Sequence, residues 1–163
     1  MKFAEIAQFF ERMEGTTKRL ELTEILVELL KNTPSDVISK VVYLIQGKIR
    51  PNFEGVELGI AEKLAIKSIS KSAGIPIKKI EDAYRLGGDL GITAANVLKE
   101  KTQTTFSTEN ITLERVYDTL FKIANLQGKR SQDMKIRYIS SLLNDATTNE
   151  AKFILKILLG TLR

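Results

Sequence analysis

An all-α fold, about eight or nine helices in one irregular domain spanning residues 1–163, is what this sequence predicts. Three observations carry that expectation. Apolar residues recur at three- and four-residue spacing almost from end to end. No stretch alternates apolar and polar residues for long enough to be a strand. Glycine, proline or a capping side chain stands at nearly every break in the periodicity. Helix and loop lengths do not recur at a single period, which argues against a solenoid of repeats.

Phe3, Ile6, Ala7, Phe10 and Met13 mark a first amphipathic helix that should end near Glu14 and Gly15. Thr16 and Thr17 are natural caps for a second, whose stripe of Leu20, Leu22, Ile25, Leu26, Leu29 and Leu30 is expected to be buried. Arg19 in its first turn opposes the helix dipole, a small cost that an exposed anion would offset. Thr33, Pro34, Ser35 and Asp36 signal the start of a third helix, running through Val37, Val41, Val42, Leu44 and Ile45 to Gly47. From Lys48 to Gly59 the pattern lapses into a loop punctuated by Pro51, Asn52 and Gly55, which a packed Phe53 and Leu58 would pin down.

Ile60 to Ala73 is helical again and ends at Gly74. Pro76 opens a short helix through Ile77, Ile80 and Tyr84, closed by Gly87, Gly88, Asp89, Leu90 and Gly91. Ala94 to Lys101 continues as helix, and the polar stretch Thr102 to Thr112 reads as an exposed crossing loop. Thr112 caps a helix with the stripe Leu113, Val116, Leu120, Ile123 and Ala124, expected to end at Gly128. Ser131 to Asn144 is helix through Met134, Ile136, Ile139, Leu142 and Leu143. Thr147 and Glu150 form a capping box for the last helix, whose Ala151, Phe153, Ile154, Ile157 and Leu158 lead to Gly160.

The composition excludes several kinds of chemistry. Apolar residues make up 43% and charged residues 28%, an ordinary globular balance that argues against disorder along the whole chain. With no cysteine and no histidine there is no thiol nucleophile, disulfide, imidazole base or usual zinc ligand. The carboxylates are spread along helix surfaces and suggest no catalytic constellation. No apolar run approaches the roughly 20 residues needed to span a bilayer, and the N-terminus has no signal-peptide core, so the expectation is an intracellular, cytoplasmic protein without a membrane. Net charge is +5, and +4 of it lies in the last 36 residues, where Gly128 to Arg163 carries 7 Lys/Arg against 3 Asp/Glu. An excess gathered in one part of a chain points towards nucleic acid.

The stretch from Leu126 to Arg137 concentrates that charge. A helix stops at Gly128, Lys129 and Arg130 follow, and a new helix opens at Ser131 with Gln132, Asp133, Lys135 and Arg137. Such a turn aims unpaired backbone N–H groups, the positive end of a helix dipole and basic side chains at one spot, which suits a phosphate. The plain alternative is an ordinary helix-loop-helix with a Gly stop and a Ser cap. The three glycines among Gly87 to Gly91 permit close approach by another backbone, as in a phosphate nest, and equally fit a tight interhelix turn. They match neither a Walker loop nor the dinucleotide fingerprint. Phe106, in the polar loop, needs a pocket in its own core or in a partner.

Four segments taken in order resemble a known family. They are Phe53-Glu54-Gly55 with Glu57-Leu58-Gly59-Ile60, then Gly88-Asp89-Leu90-Gly91, then Gly128 with Ser131 and Lys135, and finally Glu150-Ala151-Lys152-Phe153-Ile154 running into Gly160-Thr161-Leu162-Arg163. Together they are similar to the N-terminal DNA-binding domain of archaeal and eukaryotic ATP-dependent DNA ligases. The start, Met1 to Glu11, and Val41-Val42-Tyr43-Leu44 resemble the archaeal type. The resemblance implies an all-helical body of paired helical repeats on the minor-groove side of nicked duplex DNA, holding sugar-phosphate backbone without reading sequence, in enzymes that seal nicks in replication, repair and recombination. Carried over by position, it implies contacts at Thr17 and Arg19, at Gly88, Asp89, Leu90 and Gly91, at Gly128, Lys129, Arg130, Ser131 and Gln132 with Lys135, and at Arg163.

The family's adenylated lysine lies in a Lys-x-Asp-Gly motif, and no lysine here is followed by that pattern. The resemblance therefore implies an inactive span with no cofactor of its own, while the full-length enzyme would use ATP and a divalent metal such as magnesium. Gln103-Thr104-Thr105-Phe106 also resembles the clamp-binding segment of archaeal ligases, with Gln103 and Phe106 as its contacts, although Ser107 replaces the second aromatic. The partners implied are nicked DNA and a sliding clamp, with the domain itself monomeric. The chain stops just after a strong helix, as though a larger protein continues. A helical protein-interaction scaffold, such as a clamp adaptor without DNA affinity, is the alternative function and predicts an exposed apolar groove.

Overall fold

The computed structural model describes residues 1–50, 60–99 and 110–162. Among the described residues run nine helices: α1 (Phe3–Glu14), α2 (Arg19–Asn32), α3 (Ile38–Ile45), α4 (Glu62–Ala73), α5 (Ile77–Gly87), α6 (Leu90–Lys99), α7 (Leu113–Asn125), α8 (Ser131–Asp145) and α9 (Thr148–Leu159). The fold is all-α, with only an isolated bridge between Lys2 and Thr112 in extended pairing. The expected pinning of the loop by Phe53 and Leu58, the segment with Gln103 and Phe106, and Arg163 lie outside the described residues.

α9 is the centre of the molecule, for a reason visible in its residues. Ala151, Phe153, Ile154, Leu155, Ile157 and Leu158 are all buried, and a helix that is apolar on nearly every side needs neighbours all round. Its start is fixed by the capping box: Thr147 Oγ1 accepts from the Glu150 amide at 3.2 Å, and Glu150 Oε1 accepts from the Thr147 amide at 2.8 Å. Its end is set by Gly160, whose φ of 69° is left-handed. Phe10 of α1 meets Phe153 edge to face at 5.6 Å. On another side α6 approaches so closely that a Cβ on Gly91 would lie 2.9 Å from the Lys152 carbonyl oxygen.

α4 and α8 run side by side in the same direction. Ser140 Oγ donates to the Ser68 carbonyl at 3.2 Å, and four residues further along both helices Ser72 Oγ donates to Asn144 Oδ1 at 2.8 Å. At this carboxyl end of α8, the Phe3 amide donates to the Ile111 carbonyl and the Leu113 amide to that of Met1, tying the start of α1 to that of α7. Arg115 closes the same corner by pairing with Asp145 at 2.7 Å.

Four expectations are corrected. Thr16 and Thr17 do not cap α2: Lys18 holds the N-cap position, and the Thr16 hydroxyl instead accepts from the Lys18 amide and donates to Glu21. The α2 stripe is not wholly buried, for only Ile25 and Leu29 are, and Leu20 is 79% exposed. α3 begins at Ile38, since residues 35–37 form a turn closed by the Val37 amide on the Pro34 carbonyl, while the Thr33 hydroxyl turns back to the Leu29 carbonyl of α2. α6 begins at Leu90, before the expected Ala94, because Asp89 supplies the capping carboxylate: its Oδ1 accepts from the Ile92 amide at 3.0 Å.

Candidate nucleic-acid interface

Most of the residues singled out in the sequence fall at one end of the bundle. The Ile60 amide, just before α4, donates to the Leu158 carbonyl near the carboxyl end of α9. The Tyr84 hydroxyl donates to Glu62 at 2.7 Å, setting the last turn of α5 beside the first turn of α4. Because α8 runs parallel to α4, its amino end lies on the same side as that of α4, about 14 Å before Ser140 in α8 and about 9 Å before Ser68 in α4. The turns α1–α2, α5–α6 and α7–α8 and the carboxyl end of α9 thus share this end.

The first two turns are locked to α9 by charge. Glu14 accepts from Lys152 at 3.0 Å and from Lys156, and Lys156 lies 3.5 Å from Asp89. Burial pushes the Glu14 carboxyl up, but the hydrogen bonds from Lys156 and Lys152 outweigh it and hold the group below the usual carboxylate range. Burial likewise pulls the Lys156 ammonium down, and the bond and charge of Glu14, with Asp89, more than restore it, so it stays protonated above the usual lysine range. Thr16, Thr17, Asp89, Lys156, Gly160 and Thr161 line one cleft around this cluster. Its two carboxylates and two ammonium groups leave it close to neutral. The sequence reading missed the cluster, although Lys152 and Lys156, four residues apart on an otherwise apolar helix, were a signal that something must meet them.

The α5–α6 turn divides sharply by residue. Gly87 and Gly88 are exposed and Asp89 is half-buried, whereas Leu90 and Gly91 are buried against the core. Gly88 has a φ of 70° and its amide is already taken by the Tyr84 carbonyl. The amino end of α6 is occupied by its own Asp89. What faces outward is glycine backbone, with the exposed Arg85 and a Leu86 that is 92% exposed just before it.

The α7–α8 turn is organised otherwise. α7 stops at Asn125, before the expected Gly128, with Leu126 extended at its C-cap. Gly128 takes a φ of 102° and its carbonyl accepts from the Ser131 amide at 3.2 Å. Arg130 holds the N-cap position of α8 and no side chain caps it, so Ser131 is the first helical residue and not the cap that the plain turn reading required. Lys129, Arg130 and Gln132 are exposed and Lys135 is half-buried. The three cations make no ion pair among the described residues. Asp133, exposed in the first turn, is the one acid nearby in sequence. Thr17 and Arg19 are exposed at the α1–α2 turn, where Arg19 also borders an apolar groove with Leu22. No helix among the described residues is long and apolar enough to cross a membrane.

Comparison with known proteins bears on this end of the molecule. The family model described as DNA ligase N terminus matches residues 2–163. A DNA ligase from Nitrosopumilus maritimus is 71% identical over the whole chain, one from Cenarchaeum symbiosum 63%, and one from Thermococcus fumicolans 42%. The chain spans only 28 to 29% of the length of these archaeal relatives. Matched along all but its first residue, it belongs to the DNA ligase N-terminus family.

Proposed function

We propose that this chain binds the backbone of nicked duplex DNA, on the minor-groove side and without reading sequence, as the N-terminal part of an ATP-dependent ligase acting in replication and repair. The observation that carries the proposal is the α7–α8 turn: an uncapped helix start with Lys129, Arg130 and Lys135 around it and, among the described residues, no carboxylate paired with them. Unpaired amides and cations of that kind hold phosphate oxygens and carry no sequence information. Thr17 and Arg19, the bare backbone of Gly88 with Asp89, and Gly128, Ser131 and Gln132 extend the surface at the same end. Leu90 and Gly91 support it from beneath by packing on α9. Arg163 joins the surface on the strength of the family resemblance.

In this proposal the ligation chemistry lies outside this span. The span lacks the Lys-x-Asp-Gly motif, and among the described residues no cluster of three or more His, Cys, Asp or Glu side chains is placed to hold a metal ion. ATP and the divalent metal belong, in this proposal, to the remaining length of the enzyme. The sliding clamp remains a proposed partner through Gln103 and Phe106. Changing Phe106 to alanine should weaken clamp affinity, and an unchanged affinity would remove that partner.

Titrating a labelled nicked duplex at two salt concentrations tests the DNA reading. Affinity should fall steeply as salt rises, with a slope near 0.9 per phosphate neutralised, and little difference should appear between duplex sequences. Salt-insensitive binding, or none, would sink it.

A further inference from the structure

α2 is apolar on more sides than the core uses. Besides Ile25 and Leu29, which are buried, it carries Leu22, Leu26 and Leu30 half-buried, Leu20 79% exposed and Val27 44% exposed. Ile38 and Val42 of α3 are exposed as well, each at 37%. Phe10, Met13, Leu22, Leu26 and Ile45 form the walls of a mainly apolar groove between α1, α2 and α3, with Arg19 and Thr23 on its α2 side. Leu162, the last described residue, also lines that groove. Scattered exposed leucines are normal on a surface, but a groove with contiguous apolar walls marks a docking site.

We infer that this groove receives the polypeptide that follows the N-terminal span in the longer ligases, docked as an amphipathic helix. Three observations select that occupant. The matched family model is the N terminus of the ligase and the span is 28% of the relatives' length, so more than two thirds of such an enzyme lies beyond it. The chain reaches Leu162 already inside the groove, so the following residues are delivered to it at high effective concentration. Apart from Arg19 and Thr23 on the rim the walls are apolar, so the part of the occupant that enters the groove must satisfy its own backbone, as a helix laid into an apolar groove does. Under this inference the exposed Leu20, next to Arg19 of the rim, is covered as well. This surface adjoins the proposed DNA contacts at Arg19, which lies on its rim, so the test is run without DNA.

The chain has no cysteine, which makes the test direct. The substitution Leu22→Cys is introduced into the 163-residue chain and into the full-length ligase from the same gene, without DNA, and labelling at that position by a thiol reagent is followed by peptide mass spectrometry. Lys31→Cys, at the exposed carboxyl end of α2, serves as the control. Labelling at position 22 should be at least about tenfold slower in the full-length ligase, with the control alike in both. Equal labelling at position 22 overturns the inference, and so does protection that appears only when a sliding clamp is added. Protection in the 163-residue chain alone, with a doubled mass in light scattering, would assign the groove to a second copy and overturn it too. Leu20→Glu gives an independent reading: it should leave the unfolding temperature of the short chain unchanged or raised and lower that of the full-length ligase. The same change in both would also count against the inference.

Discussion

Two turns at one end of the bundle carry the same ingredients, glycine, a helix start and nearby lysine, and use them oppositely. At the α5–α6 turn the helix start is filled by Asp89, which also faces Lys156, and Lys156 is held by Glu14. Asp89, Lys156 and Glu14 are thus all partnered internally. At the α7–α8 turn the helix start has no side-chain cap, and among the described residues its cations pair with no acid on another helix. The contrast teaches that a glycine-rich turn before a helix is not in itself an anion site. What matters is whether the protein has already spent the helix dipole on a carboxylate of its own.

The largest effect should come from emptying the second turn. Replacing Lys129, Arg130 and Lys135 together by alanine should weaken nicked-duplex binding by roughly a hundredfold at low salt and flatten the salt slope by up to about three units. Thermal stability should change little, because none of the three makes an ion pair among the described residues. A triple variant that binds as before would leave the two turns equivalent and the comparison empty.

Changing Gly91 to alanine at the first turn should do the reverse. The new Cβ would meet the Lys152 carbonyl at 2.9 Å and the Lys156 side chain at 3.1 Å, and neither the helix backbone nor a paired lysine yields cheaply. A loss of about 2 kcal/mol of folding stability is expected in denaturant titration, with DNA affinity per folded molecule unchanged. An affinity loss at full stability would move Gly91 from support to contact.

The charge cluster gives the first turn a pH signature. The Glu14 carboxyl is held below its ordinary range in the folded state, so its contribution is complete above the unfolded carboxylate value and disappears as pH falls through the lower folded value. Lys156 is held above its ordinary range, so its contribution is present below the unfolded lysine value and disappears only as strong alkali passes the folded one. Glu14→Gln should remove the acid-side dependence and cost about 2 kcal/mol at neutral pH, less than a fully buried pair because the carboxylate side chain is a quarter exposed. Acid unfolding curves of the two proteins that superimpose would place the stabilisation elsewhere.

How much of this was legible in the sequence follows the range of each interaction. The caps at Thr112 and at Thr147 with Glu150, and the stops at Gly74 and Gly160, are local, and they stand where the sequence placed them. The early start of α6 was local too, but three glycines masked the Asp89 cap. Burial along α2 was misjudged because periodicity marks which residues are apolar, and cannot mark which neighbour covers them. The Glu14 cluster joins residues about 140 positions apart, beyond what any spacing rule reaches. At the candidate interface the glycine, the cations and the helix start of residues 128–135 were readable. That the other turns share its end depended on α4 and α8 being parallel, which the Ser68–Ser140 and Ser72–Asn144 hydrogen bonds reveal.

The smallest effect expected is also the sharpest, because it converts one turn into the other. Arg130→Asp places a carboxylate at the N-cap of α8, where none now stands. It should stabilise the helix by about 0.5 kcal/mol, at the low end for a cap because the backbone there, with φ −104° and ψ 9°, is not the extended conformation that caps best. The same change fills the helix start with an internal anion and removes a cation, so nicked-duplex binding should fall even though the fold becomes firmer. Stability and affinity moving in opposite directions from one substitution cannot arise from general unfolding. If both fell together, the uncapped start of α8 would be a local packing feature and the phosphate contacts would have to lie on the cations alone.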